Sequence, residues 1–498
     1  MAVPPAQLAR RTVLKAAGAL ALCACDPLRR ARAEPGVVLN DVHSQLNATR
    51  VARVQAVRTS GELQHAIRSA SRAGQAVSVA GGRHSMGGQQ FGVDTLNLDL
   101  RPLAGVLSLD RERGRMRVEA GICWPELLQA CLRLQPGAER PWTVRQKQTG
   151  ADALTLGGAL AANAHGRGLR FPPIVSDVES FELVDARGEL LNCSRSQNPE
   201  LFRLAIGGWG LFGVVATVEL RLVPRTRVER LVELREVDGL IEAFDERVAQ
   251  GCLYGDFQFE VDERSSGFLQ RGVFACYRPA EARADLEPSE PGLTGQDWVE
   301  LIVLAHQDKS AAFERYAAHY LATNGQLYWS DTHQLGVYPA GYHEVVDART
   351  RSGVPATEMI TELYVPRAEL PGFLRAAARW LRESQAALIY GTVRLIEKDE
   401  ETFLPWARER FACTVMNLHV EHTSAGLEQS QRAFRGLIDL ALERGGSYYL
   451  AYHRWATREQ VLAAHPALPE FLERKRRHDP EELFQSEWYR HHQRLLGA

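Results

Sequence analysis

The chain has 498 residues, 45% hydrophobic and 24% charged, with a formal net charge of -2. That length exceeds one ordinary core and calls for two or three domains of roughly 100–200 residues each. The near-zero charge excludes the basic footprint of a nucleic-acid or anionic-membrane binder, and no apolar run reaches the roughly 20 residues of a bilayer span.

The first element is a leader. Arg10-Arg11-Thr12-Val13-Leu14-Lys15 is an arginine pair backed by apolar residues and a lysine, and the apolar stretch Ala16 to Cys25 follows. Ala31-Arg32-Ala33 then places small residues where a signal peptidase reads. In that order they read as a twin-arginine export signal over residues 1–33, implying a periplasmic or secreted protein. Leu22-Cys23-Ala24-Cys25 offers a lower-ranked alternative, a lipid anchor at Cys25. Beyond the signal, Cys123, Cys131, Cys193, Cys252, Cys276 and Cys413 show no zinc or CxxC spacing and read as mostly buried thiols, with disulfides left open.

Gly61 to Arg72 sets Leu63, Ala66, Ile67 and Ala70 on one helical face. Gln75 to Ala80 is a short strand that runs into Gly81-Gly82-Arg83-His84-Ser85-Met86-Gly87-Gly88. Leu96, Leu98 and Leu100 alternate with Asn97 and Asp99, the pattern of a half-buried strand. Arg115 to Glu119 is a strand, and Pro125 opens a helix. The second glycine-rich stretch, Thr149 to Ala159, leads to Ala162-Asn163-Ala164-His165-Gly166-Arg167-Gly168. A hairpin over Val178 to Cys193, a helix from Asn198 and a long strand from Gly210 to Pro224 follow. After about Arg225 strands and helices interleave, with strands at Tyr254 to Phe259, Gln326 to Ser330, Met359 to Val365, Ala387 to Leu395 and Phe411 to Val420. Asp479-Pro480 reads as the cap of a helix start.

Glycine lets backbone N–H groups close on an anion and adopt positive φ. The two clusters, about seventy residues apart, match neither G-x-G-x-x-G nor G-x-x-x-x-G-K-[ST], which excludes those nucleotide folds. Each alone is equally readable as a turn. Taken together, Val79 to Gln89, Thr155 to Gly168 and Gly210 to Val215 resemble the FAD-binding domain of the vanillyl-alcohol oxidase / p-cresol methylhydroxylase superfamily. The nearest branches by motif are aldonolactone oxidoreductases, alditol oxidases and decaprenylphosphoryl-ribose oxidases. The resemblance implies an α+β fold: a two-lobed FAD-binding domain at 45–225, a substrate domain with an antiparallel sheet at 226–440, and a C-terminal segment at 441–498 returning to the FAD domain.

The resemblance carries over residue by residue. Val79, Ala80, Gly81, Gly82, Arg83, Ser85, Met86 and Gly87 belong to the pyrophosphate loop, and His84 matches the histidine that many members bond to the flavin. Covalent FAD through His84 is therefore expected, and a single bond, since no cysteine stands near Gly150. Gly150, Thr155, Gly157, Gly158 and Gly168 supply the second cradle; Asn163, Ala164 and His165 match the flavin wall, Val214 the adenine end, and Tyr449 the returning tail.

Four residues are the catalytic candidates. Glu362 shares a strand face with Ile360 and Tyr364 and reads either as a site carboxylate or as an edge-strand charge. Arg394 is a candidate to stabilise negative charge. His419 is a third candidate, although a single histidine in an apolar strand is more often a hydrogen-bonded core residue. Tyr452 stands where the ribose-oxidase branch carries a lysine, and Met86 replaces a pocket tyrosine of that branch, which argues against that assignment. His478, His491 and His492 have no ligand spacing, so no metal is assigned. The expected activity is oxidation of a CH–OH group of a sugar, polyol or sugar lactone, with O2 or another acceptor reoxidising the flavin. The alternatives are the oxidising half of a lipid-linked sugar epimerase and a non-catalytic flavin-binding protein.

Overall fold

Residues 36–148, 150–280, 292–336 and 341–497 are described by the computed structural model. The expected twin-arginine signal and Cys25 lie outside the described residues.

The first lobe begins with a parallel sheet in which Leu96–Asp99 lies between Arg53–Ala56 and Val77–Ala80. Helix Ser60–Arg72 joins the two outer strands, and residues 81–95 carry the chain back to the central one. Thr59 caps that helix by accepting from Glu62 N, and Leu63, Ala66, Ile67 and Ala70 are its buried face. The strand Leu96–Asp99 is not half-buried as its alternation suggested. As the central strand it is covered on both faces, and Asn97 is satisfied by bonding Ser78 Oγ and the Gln90 carbonyl.

Behind this sheet an antiparallel one runs in the order Leu190–Ser194, Val178–Val184, Val214–Pro224, Arg115–Glu119, Val106–Asp110. Its core joins Leu127 and Leu128 of helix Trp124–Arg133 to Leu156 and Leu160 of helix Leu156–Ala162. The second half of the chain builds a larger antiparallel sheet of eight described strands. In it Ala356–Pro366 lies between Phe411–Glu421 and the short tail strand Ser447–Tyr448, and Leu388–Ile396 pairs with the far side of Phe411–Glu421. The architecture is α+β.

The tail connects the layers. Leu363 pairs with Tyr448, and Tyr449 Oη donates to the Ala162 carbonyl at 2.6 Å. Further on, Val77 N donates to Leu483 O and Gln485 N to Val77 O, so the tail extends the edge of the parallel sheet. Asp479 does not start a helix. It ends helix Leu468–His478, and its carboxylate accepts from Leu483 N and Phe484 N, holding the turn that delivers this edge. The next helix, Glu487–Leu496, is capped by Ser486. The six described cysteines, Cys123 to Cys413, are free thiols, and no described helix is long and apolar enough to cross a membrane.

Candidate functional site

One cleft runs from the glycine-rich loops to the large sheet. Its first wall leaves the C-terminal end of strand Val77–Ala80. Two glycines there press against the second glycine-rich segment. A Cβ on Gly81 would sit 2.2 Å from Thr155 Oγ1, and one on Gly82 2.3 Å from the Ala153 carbonyl oxygen. The loops are thus closely packed main chain rather than loose turns. Arg83 takes φ +60, a left-handed conformation for a non-glycine residue. Thr155 turns its hydroxyl to Gly158 N and caps helix Leu156–Ala162.

His84 lies in this wall with Nδ1 2.8 Å from His43 Nε2. Burial lowers its pKa to about 4, with Arg83 adding to the effect and a backbone hydrogen bond at Ala153 opposing it. His84 is therefore a neutral imidazole at physiological pH. His43 is likewise driven well down by burial and by His84.

The opposite wall carries a buried polar cluster. Glu362 accepts from His165 Nε2 at 2.8 Å, from Tyr364 Oη at 2.9 Å and from Tyr452 Oη. Burial pushes its carboxyl up, but the His165 charge and hydrogen bond, Tyr452 and Arg394 outweigh burial and hold it at about 2. Glu362 is a core-sheet carboxylate paired across the ladder with Val415, not an edge charge. The other ring nitrogen of His165, Nδ1, lies 3.1 Å from the Gly166 carbonyl oxygen. Tyr452 is pushed well above the usual phenol range by burial and by Glu362. Arg394 is buried, makes no ion pair among the described residues, and leaves its Nε without a partner.

Residues 51–194 match a protein family described as an FAD binding domain. That match gives this part of the chain an FAD-binding domain of the p-cresol methylhydroxylase type. It is 24% identical over 446 residues to L-gulono-1,4-lactone dehydrogenase of Mycobacterium tuberculosis, covering 88% of this chain and 94% of that protein. It is 37% identical over 137 residues to the mitochondrial L-galactono-1,4-lactone dehydrogenase of Arabidopsis thaliana, and 34% identical over 152 residues to cytokinin dehydrogenase 3 of Oryza sativa subsp. japonica. Those two matches span only 21% and 27% of the plant proteins.

The residues present fit a dinucleotide. The cleft is lined by Val79, Gly81, Gly82, Arg83, His84, Ser85 and Met86 of the first segment, and by Gly150, Thr155, Gly157, Gly158, Ala164 and His165 of the second. Val214, Tyr449, Glu362, Arg394 and Tyr452 complete it. A Cβ on Gly157 would meet that of Ala120 at 2.9 Å, so this helix start also packs too closely for a larger residue.

Four of the expected cofactor residues stand behind the lining instead. Ala80 is buried in its strand, and a Cβ on Gly87 would press on the Gln89 amide. Gly168 bridges to Tyr254 against Phe171. Asn163 is fully buried in a left-handed C-cap, donates to Asp399 Oδ2 and accepts from Trp406 through its carbonyl.

The structure corrects His419. It does not reach the cleft; it faces Glu358 and His306 under helix Gly295–Gln307. Burial raises the Glu358 carboxyl, yet hydrogen bonds from the two histidines outweigh it and hold it at about 2.

Sequence reasoning missed His43, Gln148, Trp209 and Ile360, which also line the cleft. His43 lies 41 residues from its partner and carries no motif, so no local signal exposes it. Gly210 and Gly213 were legible only as part of the third matching segment, and both reach the lining.

Proposed function

We propose that this chain is an exported FAD-dependent oxidoreductase that oxidises a CH–OH group of a sugar, polyol or sugar lactone. The observation that carries the reading is the buried Glu362–His165–Tyr452 cluster, with Arg394, facing the glycine-lined end of one cleft. The relatives named as lactone dehydrogenases and the FAD-binding domain support the substrate class and the cofactor.

A bound flavin supplies a hydride acceptor. The chain's own residues do the rest. Oxidising an alcohol removes a hydride from carbon and a proton from oxygen, and leaves a carbonyl. Tyr452 Oη, held by its own hydrogen bond to Glu362 Oε1, accepts the hydroxyl's hydrogen bond and orients the alcohol, and the proton released from the substrate oxygen leaves to solvent through the cleft. His165 holds the Glu362 carboxylate in place by a charge-assisted bond. Arg394, with donors to spare, orients a substrate oxygen. Tyr452 thereby takes over the position that a lysine fills in the ribose-oxidase branch.

His84 is proposed as the point of a single covalent bond to FAD, because a neutral imidazole keeps a lone pair for attack. The bond would keep the cofactor with an exported enzyme. Ala164 lines the cleft beside His165 and narrows access for O2, which favours an acceptor other than O2.

The test begins with anaerobic reduction of the purified flavoprotein by a panel of sugars, polyols and lactones, followed by admission of air. Bleaching by a lactone or polyol supports the activity, and no bleaching with FAD firmly held points to the non-catalytic alternative. Prompt peroxide release on aeration overturns the preference for another acceptor. Denaturing the protein then asks whether flavin fluorescence stays with the polypeptide and leaves in His84→Ala.

A further inference from the structure

Away from the cleft, three elements bring together a ligand set that the proposed reaction does not use. His306 comes from helix Gly295–Gln307, Glu358 from strand Ala356–Pro366 and His419 from strand Phe411–Glu421. Glu358 and His419 are direct cross-strand partners, so their side chains rise from one face of the sheet. His306 closes over them from the helix above.

The donor atoms are tightly grouped. His306 Nε2 is 2.8 Å and His419 Nδ1 3.3 Å from the same carboxylate oxygen, Glu358 Oε1, and all three ligand atoms lie within 4.8 Å of one another. In a tetrahedral zinc site with bonds near 2.0–2.1 Å, adjacent ligand atoms lie roughly 3.3 Å apart. The observed spacings bracket that value. Two imidazoles crowd on one oxygen of Glu358, whose carboxyl also takes a hydrogen bond from Tyr342. The Glu358 side chain is 2% exposed and that of His419 21%, which leaves an opening on the histidine side.

We propose that His306, Glu358 and His419 form a binding site for a divalent transition-metal ion of the Zn2+ class, which clamps helix Gly295–Gln307 to the eight-stranded sheet. Two imidazoles and one carboxylate suit a borderline-soft ion better than Mg2+ or Ca2+, which prefer all-oxygen shells. Each histidine binds through the nitrogen that faces Oε1, so that nitrogen gives up its proton to the other ring nitrogen or to solvent. A water in the fourth position is reached through the opening beside His419. The ion makes no contact with the proposed catalytic cluster, so its role is structural.

The experiment uses tag-free, flavin-loaded protein that has been stripped with a chelator and then titrated with Co2+, followed by its ligand-field absorption to the red of the flavin band. Zn2+ is followed by calorimetry and melting temperature. Wild type is expected to bind one ion per chain and to melt higher. His306→Gln and His419→Gln should each weaken binding by at least about a hundredfold, beyond what loss of an outer-shell group costs. His65→Gln, at an exposed position of helix Ser60–Arg72, should leave it unchanged. Equal Co2+ uptake by wild type and by the double variant H306Q/H419Q overturns the site and leaves a hydrogen-bonded triad. Should the variants not accumulate, X-ray absorption of the Co2+-loaded wild type decides. Two imidazoles in the shell support the proposal, and an oxygen-only shell overturns it.

Discussion

Replacing Glu362 by glutamine changes one charge at nearly constant volume. In the native cluster the carboxylate accepts from His165, Tyr364 and Tyr452. An amide oxygen can still accept, but its NH2 group faces donors where the carboxylate offered lone pairs. His165 then keeps an N–H toward a neutral partner inside a site only 4% exposed. A hydrogen bond to a buried charged acceptor is worth about 1.5–3 kcal/mol. If that cost falls on the transition state, at 1.36 kcal/mol per tenfold in rate, flavin reduction slows by about 10- to 150-fold. The assay is stopped-flow reduction of the flavin under anaerobic conditions, with the substrate identified by the panel. A Glu362→Gln enzyme that holds FAD normally and reduces it within threefold of wild type would refute the assignment of Glu362 to the reacting centre. Loss of FAD from the variant instead would make the cluster architectural.

The remaining predictions test the cradle, the core and acid stability. Gly81→Ala places a methyl 2.2 Å from Thr155 Oγ1, which forces Thr155 off its cap on Gly158 N at about 1 kcal/mol and narrows the cleft; FAD content of the purified variant should fall sharply, and full retention would count against the cradle. Leu363→Ala empties a fully buried position in the large sheet and should cost about 2–5 kcal/mol, read from urea unfolding. Glu362 has a native pKa of about 2 against an unfolded value near 4.5. Its native value is depressed, so its stabilisation, about 3 kcal/mol, is present above pH ~4.5 and is lost as pH falls toward about 2. Acid unfolding of wild type should be steeper over that window than in Glu362→Gln, and superimposable curves would contradict the sign.

Much of the fold was legible because it is locally encoded. The face formed by Leu63, Ala66, Ile67 and Ala70 follows from helical period, and the strand at Tyr254–Phe259 from its aromatic residues Tyr254, Phe257 and Phe259. The errors came where a local signal had two outcomes. Leu96–Asp99 alternates like a half-exposed strand, yet a polar residue on its second face is buried because that face is also covered and Ser78 is there to bond it. Asp479-Pro480 looks like a helix start, but the carboxylate caps a turn.

The sequence by itself determined where main chain has to approach main chain. Gly81, Gly82 and Gly157 stand where a Cβ has no room, and the first two glycine-bearing segments fall inside the FAD-binding-domain match. It also determined which side chains share a strand face, since that needs only a period of two. What it did not determine is where along a strand the chemistry falls. Glu358 and Glu362 lie on the same face of one strand, roughly 13 Å apart at about 3.3 Å per residue. Packing puts Glu362 under the cleft, with His165 from 197 residues away. The same packing puts Glu358 under helix Gly295–Gln307, with His306 and His419. Strand alternation treats the two carboxylates alike, and only the tertiary structure, by choosing what covers each end of the strand, separates a proposed reaction centre from a candidate metal clamp.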